Sequence, residues 1–283
     1  MGVDFTGGVQ VEVGITASDG GTIDIGEVRN AVEAAGYDSR NIQRLGGSNI
    51  NNFLVHVKET TSGDDISGEQ SAVDIGSATS TEILQELRNH FGSGAVDLRG
   101  VASVGPKIGA ELRGAAIQAI VLALLLVMVY VSWRFEFRFG VATLVAVLHD
   151  VLMVVGLFSI FNKEMTLSIV AALLTLVGYS VNDTIVVFDR IREELRKKQR
   201  RETIENIFNT GINATLSRTI LTSLTTLFVV GALFVYGGTV IHDFAWVLLV
   251  GIIVGTYSSI FVAAPLVVEW QKRVEIREAE KSA

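Results

Sequence analysis

The chain contains no cysteine. That excludes disulfides, thiolate metal sites and cysteine nucleophiles. Histidine is scarce, at four residues, and His56 and His90 read as strand or surface side chains rather than ligands. The first 112 residues carry no metal-ligand spacing, no phosphate-cradling loop and no cluster of catalytic residue types. Proline occurs only twice, beside a hydrophobic content of 49% and a mean hydropathy of +0.45, which is high for a soluble chain. The net charge of -7 hides a split. Before Arg113 there are sixteen Asp and Glu against seven Lys and Arg, and the remainder is mildly basic. Nucleic acid is a poor partner, because the basic residues cluster beside apolar segments.

Those apolar segments are long. A bilayer core of about 30 Å needs roughly 20 apolar residues as helix. Five stretches qualify: Ala115 to Trp133, Phe139 to Phe161, Thr166 to Phe188, Thr219 to Tyr236 and Phe244 to Val268. Their connections alternate in charge. "WRFEFRF" carries Arg134 and Arg138. The third connection carries Arg190, Arg192, Arg196, Lys197, Lys198, Arg200 and Arg201, and the tail carries Lys272, Arg273, Arg277 and Lys281. "NKEM" and "YGGTVIHD" are nearly bare of Lys and Arg. By the positive-inside rule the basic connections are cytoplasmic. Residues 1–112 then form an outer, periplasmic domain, residues 113–270 a helix bundle with a cytoplasmic loop at 189–218, and residues 271–283 a cytoplasmic tail. An acidic folded domain does not cross a membrane unaided, and no apolar span precedes Asp4. We therefore expect a first span to be absent from this chain. Translocation driven by a later helix is the alternative.

The outer domain reads as α+β. "VQVEVGIT" alternates apolar and polar residues as a half-buried strand does. "IDIGEVRNAVEAAG" has helical spacing of Ile25, Val28, Val32 and Ala35, with Gly36 as its stop. "NIQRL" and "NNFLVHV" flank a hairpin signal at Gly46 to Asn49. Thr60 to Gly76 reads as a flexible excursion, "TSTEILQELRNHF" as a helix capped by Thr or Ser, and "AVDLRGVASV" as a last strand. The order β-α-β-β-α-β is the ferredoxin-like pattern, which hosts many functions and decides none.

Polar residues inside the spans are more informative. An ionisable residue at the centre of a spanning helix costs about 2.5 to 3.5 kcal/mol on insertion scales, so something compensates for it. Asp150 follows His149 near the middle of the second span, and Asp183 follows Asn182 in the third. Thr175, Tyr179 and Asp183 are four apart, on one helix face. Arg218 opens the fourth span at a depth similar to Asp183, and threonines and Ser223 follow it. Burial disfavours the ionised form of a carboxyl, and an approaching guanidinium favours it. A conformational change that brings Arg218 near Asp183 and removes it again makes a proton relay. A static pair that only fixes packing is the alternative. For Asp150 the alternative is a neutral carboxyl hydrogen-bonding a carbonyl, and His149 can bond within the bundle. "ETIENIFNTGINATLSRT" carries an apolar stripe of Ile204, Ile207, Phe208, Gly211, Ile212 and Thr215, which either lies on the membrane surface or extends the fourth span. Gly231, Gly251 and Gly255 allow close helix packing in the last spans.

Several stretches resemble the SecD and SecF family of protein-export membrane subunits, its SecF branch in particular. They are "DFTGG" at Asp4 to Gly8, "VGPKIGAEL" at the entry to the first span, "HDV" at His149 to Val151, "GYSVNDTIVVFDRIRE" at Gly178 to Glu193 and "LSRTILTS" at Leu216 to Ser223. The resemblance runs almost end to end. It implies a six-span subunit of the resistance-nodulation-division superfamily, of which five spans are present here. It implies pairing with SecD through membrane helices in the bacterial inner membrane, and functional partnership with SecYEG, SecA, membrane lipid and unfolded exported proteins. It implies use of the proton-motive force for late export steps, with no cofactor and no enzymatic activity. The family's intramembrane acid and base match Asp183 and Arg218. Asp150 matches a weaker relay position, with Tyr179, Asn182 and His149 as supporting polar groups. Asp4, Phe5, Thr6, Gly7 and Gly8 match a hinge or joint between outer domain and membrane, and a tight turn before a strand fits them equally.

Three rivals are weighed against that reading. An intramembrane aspartyl protease needs facing carboxylates and a GxGD-type site, which "GYSVND" is not. A solute or lipid exporter of the same superfamily needs a larger outer domain. A structural partner of SecD that moves no proton is separated only by neutralising Asp183 and measuring export.

Overall fold

The computed structural model describes residues 2–17, 21–37, 42–45, 51–57, 69–197 and 202–282. They fall into two compact units. The first comprises Met1–Ile117 with Lys163–Leu167, the second Gln118–Asn162 with Ser168–Ala283.

In the first unit a short helix, α1 (Val3–Thr6), leads into β1 (Gly8–Ile15), followed by α2 (Ile25–Ala34), β2 (Ile42–Leu45), β3 (Asn52–Val57), α3 (Glu69–Phe91) and β4 (Val96–Val104). All pairings are antiparallel, in the order β2-β3-β1-β4. The alternation read in β1 places Val9, Val11 and Val13 in the core, where Val11 sits between Val55 and Val101. Val28 and Val32 of α2 and Ile83 and Leu87 of α3 close the core over one face of the sheet. Asp24 caps α2 by accepting from Gly26 N–H, and Gly36, at φ 84°, ends it as its position suggested.

One expectation changes here. The helix expected at 79–91 begins at Glu69, so the last part of the supposed excursion is helical. Ser80 and Thr81 do not cap it. Their hydroxyls donate to the Ser77 carbonyl within the helix, which satisfies them without a helix end. The hairpin turn at 46–49 and residues 60–68 lie outside the described residues.

Five helices are long and apolar enough to cross a membrane among the described residues. They are α4 (Pro106–Arg134), α5 (Phe137–Ile160), α6 (Leu167–Arg196), α7 (Ile204–Tyr236), and the run of α8 (Gly238–Ser258), a π-helical turn (Ser259–Ala263) and α9 (Ala264–Ser282). Their apolar windows are not equally buried. That of α6 is 56% buried and that of α4 only 6%, so α6 is central and α4 peripheral within the bundle. The stripe at residues 204–215 extends the fourth span. The reason is Gly211: a Cβ there would lie 2.9 Å from Ile191 Cγ1 and 3.1 Å from its Cα, so only glycine lets α7 close against the end of α6. Gly251 and Gly255 pack against α6 in the same way, beside Leu176 and Ser180, whereas Gly231 faces open space.

The charged ends of the second unit meet one another. Arg134 pairs with Asp189 at 3.8 Å, Arg138 with Gln271, and Lys272 with Glu205. The ends of α4 and α6, and the starts of α5 and α7, thus gather with α9 at the basic end. Lys198, Arg200 and Arg201 of the basic run lie outside the described residues.

Candidate functional site

Asp183 is 2% exposed, on the buried side of α6. Its carboxyl Oδ2 lies 3.3 Å from Ser223 Oγ on α7. Ser223 Oγ lies 2.7 Å from Thr256 Oγ1 on α8, and Thr256 donates to the Ile252 carbonyl at 2.7 Å. Three hydroxyl contacts thus run in line from Asp183 to the backbone of α8. Ser223 and Thr256 carry one hydroxyl hydrogen each, so the line has three contacts and two hydroxyl hydrogens. One turn earlier on α7, Thr219 Oγ1 is buried without a hydrogen-bond partner.

Asp150, on α5, is fully buried and differently held. Its Oδ2 accepts from Ser180 of α6 at 2.6 Å and from Ser258 of α8 at 2.8 Å. Its Oδ1 lies 3.0 Å from His149 Nδ1, a half-buried ring. Gly255 leaves room for this: a Cβ there would approach Ser180 Cβ to 3.3 Å and Asp150 Oδ2 to 3.6 Å. One carboxyl therefore joins three helices. The two aspartates bond to different partners and not to each other.

Arg218 is exposed, and no ion pair joins it to Asp183 among the described residues. The polar row grouped on one face also separates. Residues four apart on an α-helix drift by about 40° per step. Thr175 is exposed and bonds its own helix at Ala171, and Tyr179 is half-buried, 3.4 Å from Thr226. Only Asp183 of the three is buried, and Asn182 is exposed. Ser180, Ser258 and Thr256 were missed by sequence reasoning. Serine and threonine are common small packing residues in spans, and nothing local marks those that meet a carboxyl.

The segment Asp4 to Gly8 sits in the first unit. Phe5 is buried, Thr6 donates to the Gly2 carbonyl at 3.1 Å, and Gly7 and Gly8 have φ of 72° and 119°. Those angles need glycine and turn the chain from α1 into β1. Asp4 Oδ2 accepts from Leu167 N–H at 2.8 Å. His56 is buried in β3, its Nε2 3.4 Å from the Gly7 carbonyl and its Nδ1 3.9 Å from Glu164 Oε1. His90 is not in the core. It packs edge-on against Phe91 at the end of α3.

Burial pushes the Glu164 carboxyl above its ordinary value near 4.5. The folded state holds that proton more tightly than the unfolded state. Its contribution to stability is therefore greatest below the ordinary carboxylate range and falls as pH rises through the folded value. Amide exchange in β3 of the intact chain is expected to quicken over that interval, and Glu164→Gln to flatten the dependence. An unchanged profile in the Gln variant would assign the effect to another group.

The part of the chain that carries these residues matches a known family. A family model described as protein export membrane protein SecD/SecF, C-terminal, matches residues 83–273. The chain belongs to the SecD/SecF family. It is 42% identical over 275 residues to a protein translocase subunit SecF of Desulfurispirillum indicum, covering 96% of this chain and 82% of that one. Against SecF of Vibrio alginolyticus it is 43% identical over 265 residues, covering 94% and 78%. A crystal structure of SecDF from Thermus, described as a translocon-associated membrane protein, superposes with a TM-score of 0.78 at 38% identity. That match covers 95% of this chain and 34% of the other, so the chain spans about a third of SecDF. A second SecDF structure, in a super-membrane-facing form, gives 0.66 at 36% identity over 99% of this chain and 35% of that one. This is a multi-pass membrane protein of the SecF type.

Proposed function

We propose that this chain acts as the SecF component of a protein translocase in the bacterial inner membrane. It pairs with a SecD-like subunit through its membrane helices. Proton passage at Asp183 drives late steps of export, after SecYEG and SecA have begun the transfer of an unfolded chain. The observation that carries this reading is the hydrogen count. A neutral Asp183 supplies the missing hydrogen, and all three donors then point from the carboxyl towards α8. An ionised Asp183 takes the Ser223 hydrogen and leaves one contact without any. Loss of the proton therefore disfavours the observed arrangement and favours a different packing of α7 on α6. Arg218 rides on α7, about a turn and a half before Ser223, and is the cation that such a movement can bring to the ionised carboxyl. The test is gradient-stimulated export in vesicles carrying the Asp183→Asn subunit with its SecD-like partner. Stimulation is expected to vanish.

The sheet domain is proposed to be ferredoxin-like and to lie on the periplasmic side, with the C-terminus in the cytoplasm. Two observations support this. The poorly charged connection Lys163–Leu167 belongs to the same unit as the sheet, and the basic helix ends gather together. Because the chain has no cysteine, single cysteines report topology without background. At the exposed positions Asn30 and Asn206 they are expected to react with an impermeant reagent from opposite sides of the membrane. Reaction from the same side would overturn the orientation.

A further inference from the structure

A proline inside a spanning helix leaves a carbonyl without its usual donor. In hydrocarbon such a group must find a donor elsewhere. Pro265 is the second residue of α9, directly after the π-turn Ser259–Ala263. It brings no N–H to Phe261, four residues before it, nor to Ile260, five before it, the spacing that a π-turn uses. This stretch of backbone is therefore one donor short. Ile260, Phe261 and Pro265 all line a groove of about 760 Å³ between the first half of α7 and the π-turn with α9. That volume falls within the roughly 300 to 1,000 Å³ of small-molecule sites. We propose that the groove binds a phospholipid with a primary ammonium headgroup, phosphatidylethanolamine, in preference to an anionic lipid.

The lining has two parts. On α7, Glu205, Asn209, Ile212, Asn213 and Leu216 recur every three or four residues along one face. Gly211 and Ser223, which meet α6, are on the opposite side of α7, so the groove does not depend on the proton chemistry at Asp183. Across from that face stand Phe261 of the π-turn and Ala264, Val268 and Glu269 of α9. Ile212, Leu216, Phe261 and Val268 form an apolar floor that suits an acyl chain. Glu205 and Glu269 form a polar rim, which Lys272 of α9 closes by pairing with Glu205.

The charge of the rim decides the headgroup. The basic helix ends nearby suggest an anionic lipid. The groove itself is lined by two carboxylates and by no Lys or Arg among the described residues. Phosphatidylglycerol would bring its negative charge against Glu205 and Glu269. An ethanolamine ammonium brings N–H donors to those carboxylates and to the backbone carbonyls, and the amides of Asn209 and Asn213 can donate to its phosphate. A choline headgroup has the same net charge but no N–H to give. The carboxylates already hold cations, Glu205 through Lys272 and Glu269 through Arg273 at 2.8 Å, each at Oε1. A carboxylate accepts at both oxygens, so those pairs leave a further donor possible.

The test uses the intact chain in complex with a cysteine-free SecD-like partner, reconstituted in phosphatidylcholine. The chain has no cysteine of its own, so a single one at exposed Ala214, beside the groove, takes a bimane label without background. A second single cysteine at Leu152 on α5, which is 69% exposed, serves as the reference for lipid that merely surrounds the protein. Each label is titrated with phosphatidylethanolamine, phosphatidylcholine or phosphatidylglycerol brominated on the acyl chains, which quenches bimane at short range. At 214, half-quenching by phosphatidylethanolamine is expected at about five-fold lower mole fraction than by phosphatidylcholine, the factor that corresponds to one exposed charged pair at the upper end of its usual range. At 152 the three lipids are expected to quench alike. Glu205→Gln with Glu269→Gln is expected to bring phosphatidylethanolamine down to the phosphatidylcholine level at 214 and to leave phosphatidylcholine unchanged. Equal quenching by all three lipids at 214 in the parent would mean ordinary surrounding lipid and would overturn the site. A preference for phosphatidylglycerol would overturn the choice of headgroup. No quenching at 214 by any lipid, with normal quenching at 152, would mean that a protein segment covers the groove. A preference that survives in the double Gln variant would overturn the role of the two carboxylates.

Discussion

Asp183→Asn is expected to abolish the gradient-dependent part of export while expression, pairing with the SecD-like subunit and ATP-driven transfer continue. The fold survives because asparagine matches the neutral acid. Its amide N–H supplies the third hydrogen of the line through Ser223 and Thr256, so every contact to the Ile252 carbonyl can be filled. It also removes any cost of a buried charge. What it cannot do is release that hydrogen. The membrane potential contributes about 2.3 kcal/mol per charge per 100 mV, and each pKa unit is about 1.4 kcal/mol. A difference of roughly two units between two arrangements of the helices thus matches one proton's electrical drop, and the Asn variant has no access to it. The measurement is preprotein transport into inverted vesicles, with ATP saturating, before and after the gradient is collapsed. Parent membranes should lose rate on collapse and Asp183→Asn membranes should not. If the variant kept full gradient dependence, Asp183 would be a packing residue and the relay would be elsewhere.

Asp150→Leu is expected to give the larger loss of stability. Asp150 accepts from Ser180 and Ser258 and lies against His149, so one side chain joins α5, α6 and α8. Leucine fills similar space but accepts nothing. Leaving a buried donor without a partner costs about 1 to 3 kcal/mol. Ser258 can fall back on the Gly255 carbonyl, which it already approaches at 3.2 Å, so the loss is nearer one such cost than two. Thermal unfolding in detergent should show a clear drop for Leu and little change for Asn, which keeps an acceptor for both serines. Export by Asp150→Asn separates clasp from relay. Retained gradient stimulation is expected, and its loss would make Asp150 a second proton station.

The segment Asp4 to Gly8 shows where reading the sequence stops. "DFTGG" is visible as a motif, and its glycines suggest a turn. Nothing in it says that Asp4 caps a helix starting at Leu167. Asp183 shows the same limit from the other side. Its burial in an apolar helix is plain from hydropathy, and its identity as an unusual residue follows. Its partner is another matter: the nearest cation by depth is Arg218, but the contact is made by Ser223.

The sequence by itself determined the membrane class, the five long apolar helices, the alternating charge of their connections and the strand-helix order of the sheet domain. These properties depend on local composition and period, which sum along the chain and do not need a partner. Helix α3 is the exception, because residues rich in Gly, Ser and Asp carry little local preference and its start lies within them. Only the tertiary structure decided which buried hydroxyl meets which carboxyl. That choice depends on how each helix is rotated and how closely its neighbours approach. Gly211, Gly251 and Gly255 set that approach through the absence of a side chain. A drift of about 40° for every four residues then turns Thr175 outwards and Asp183 inwards along one helix.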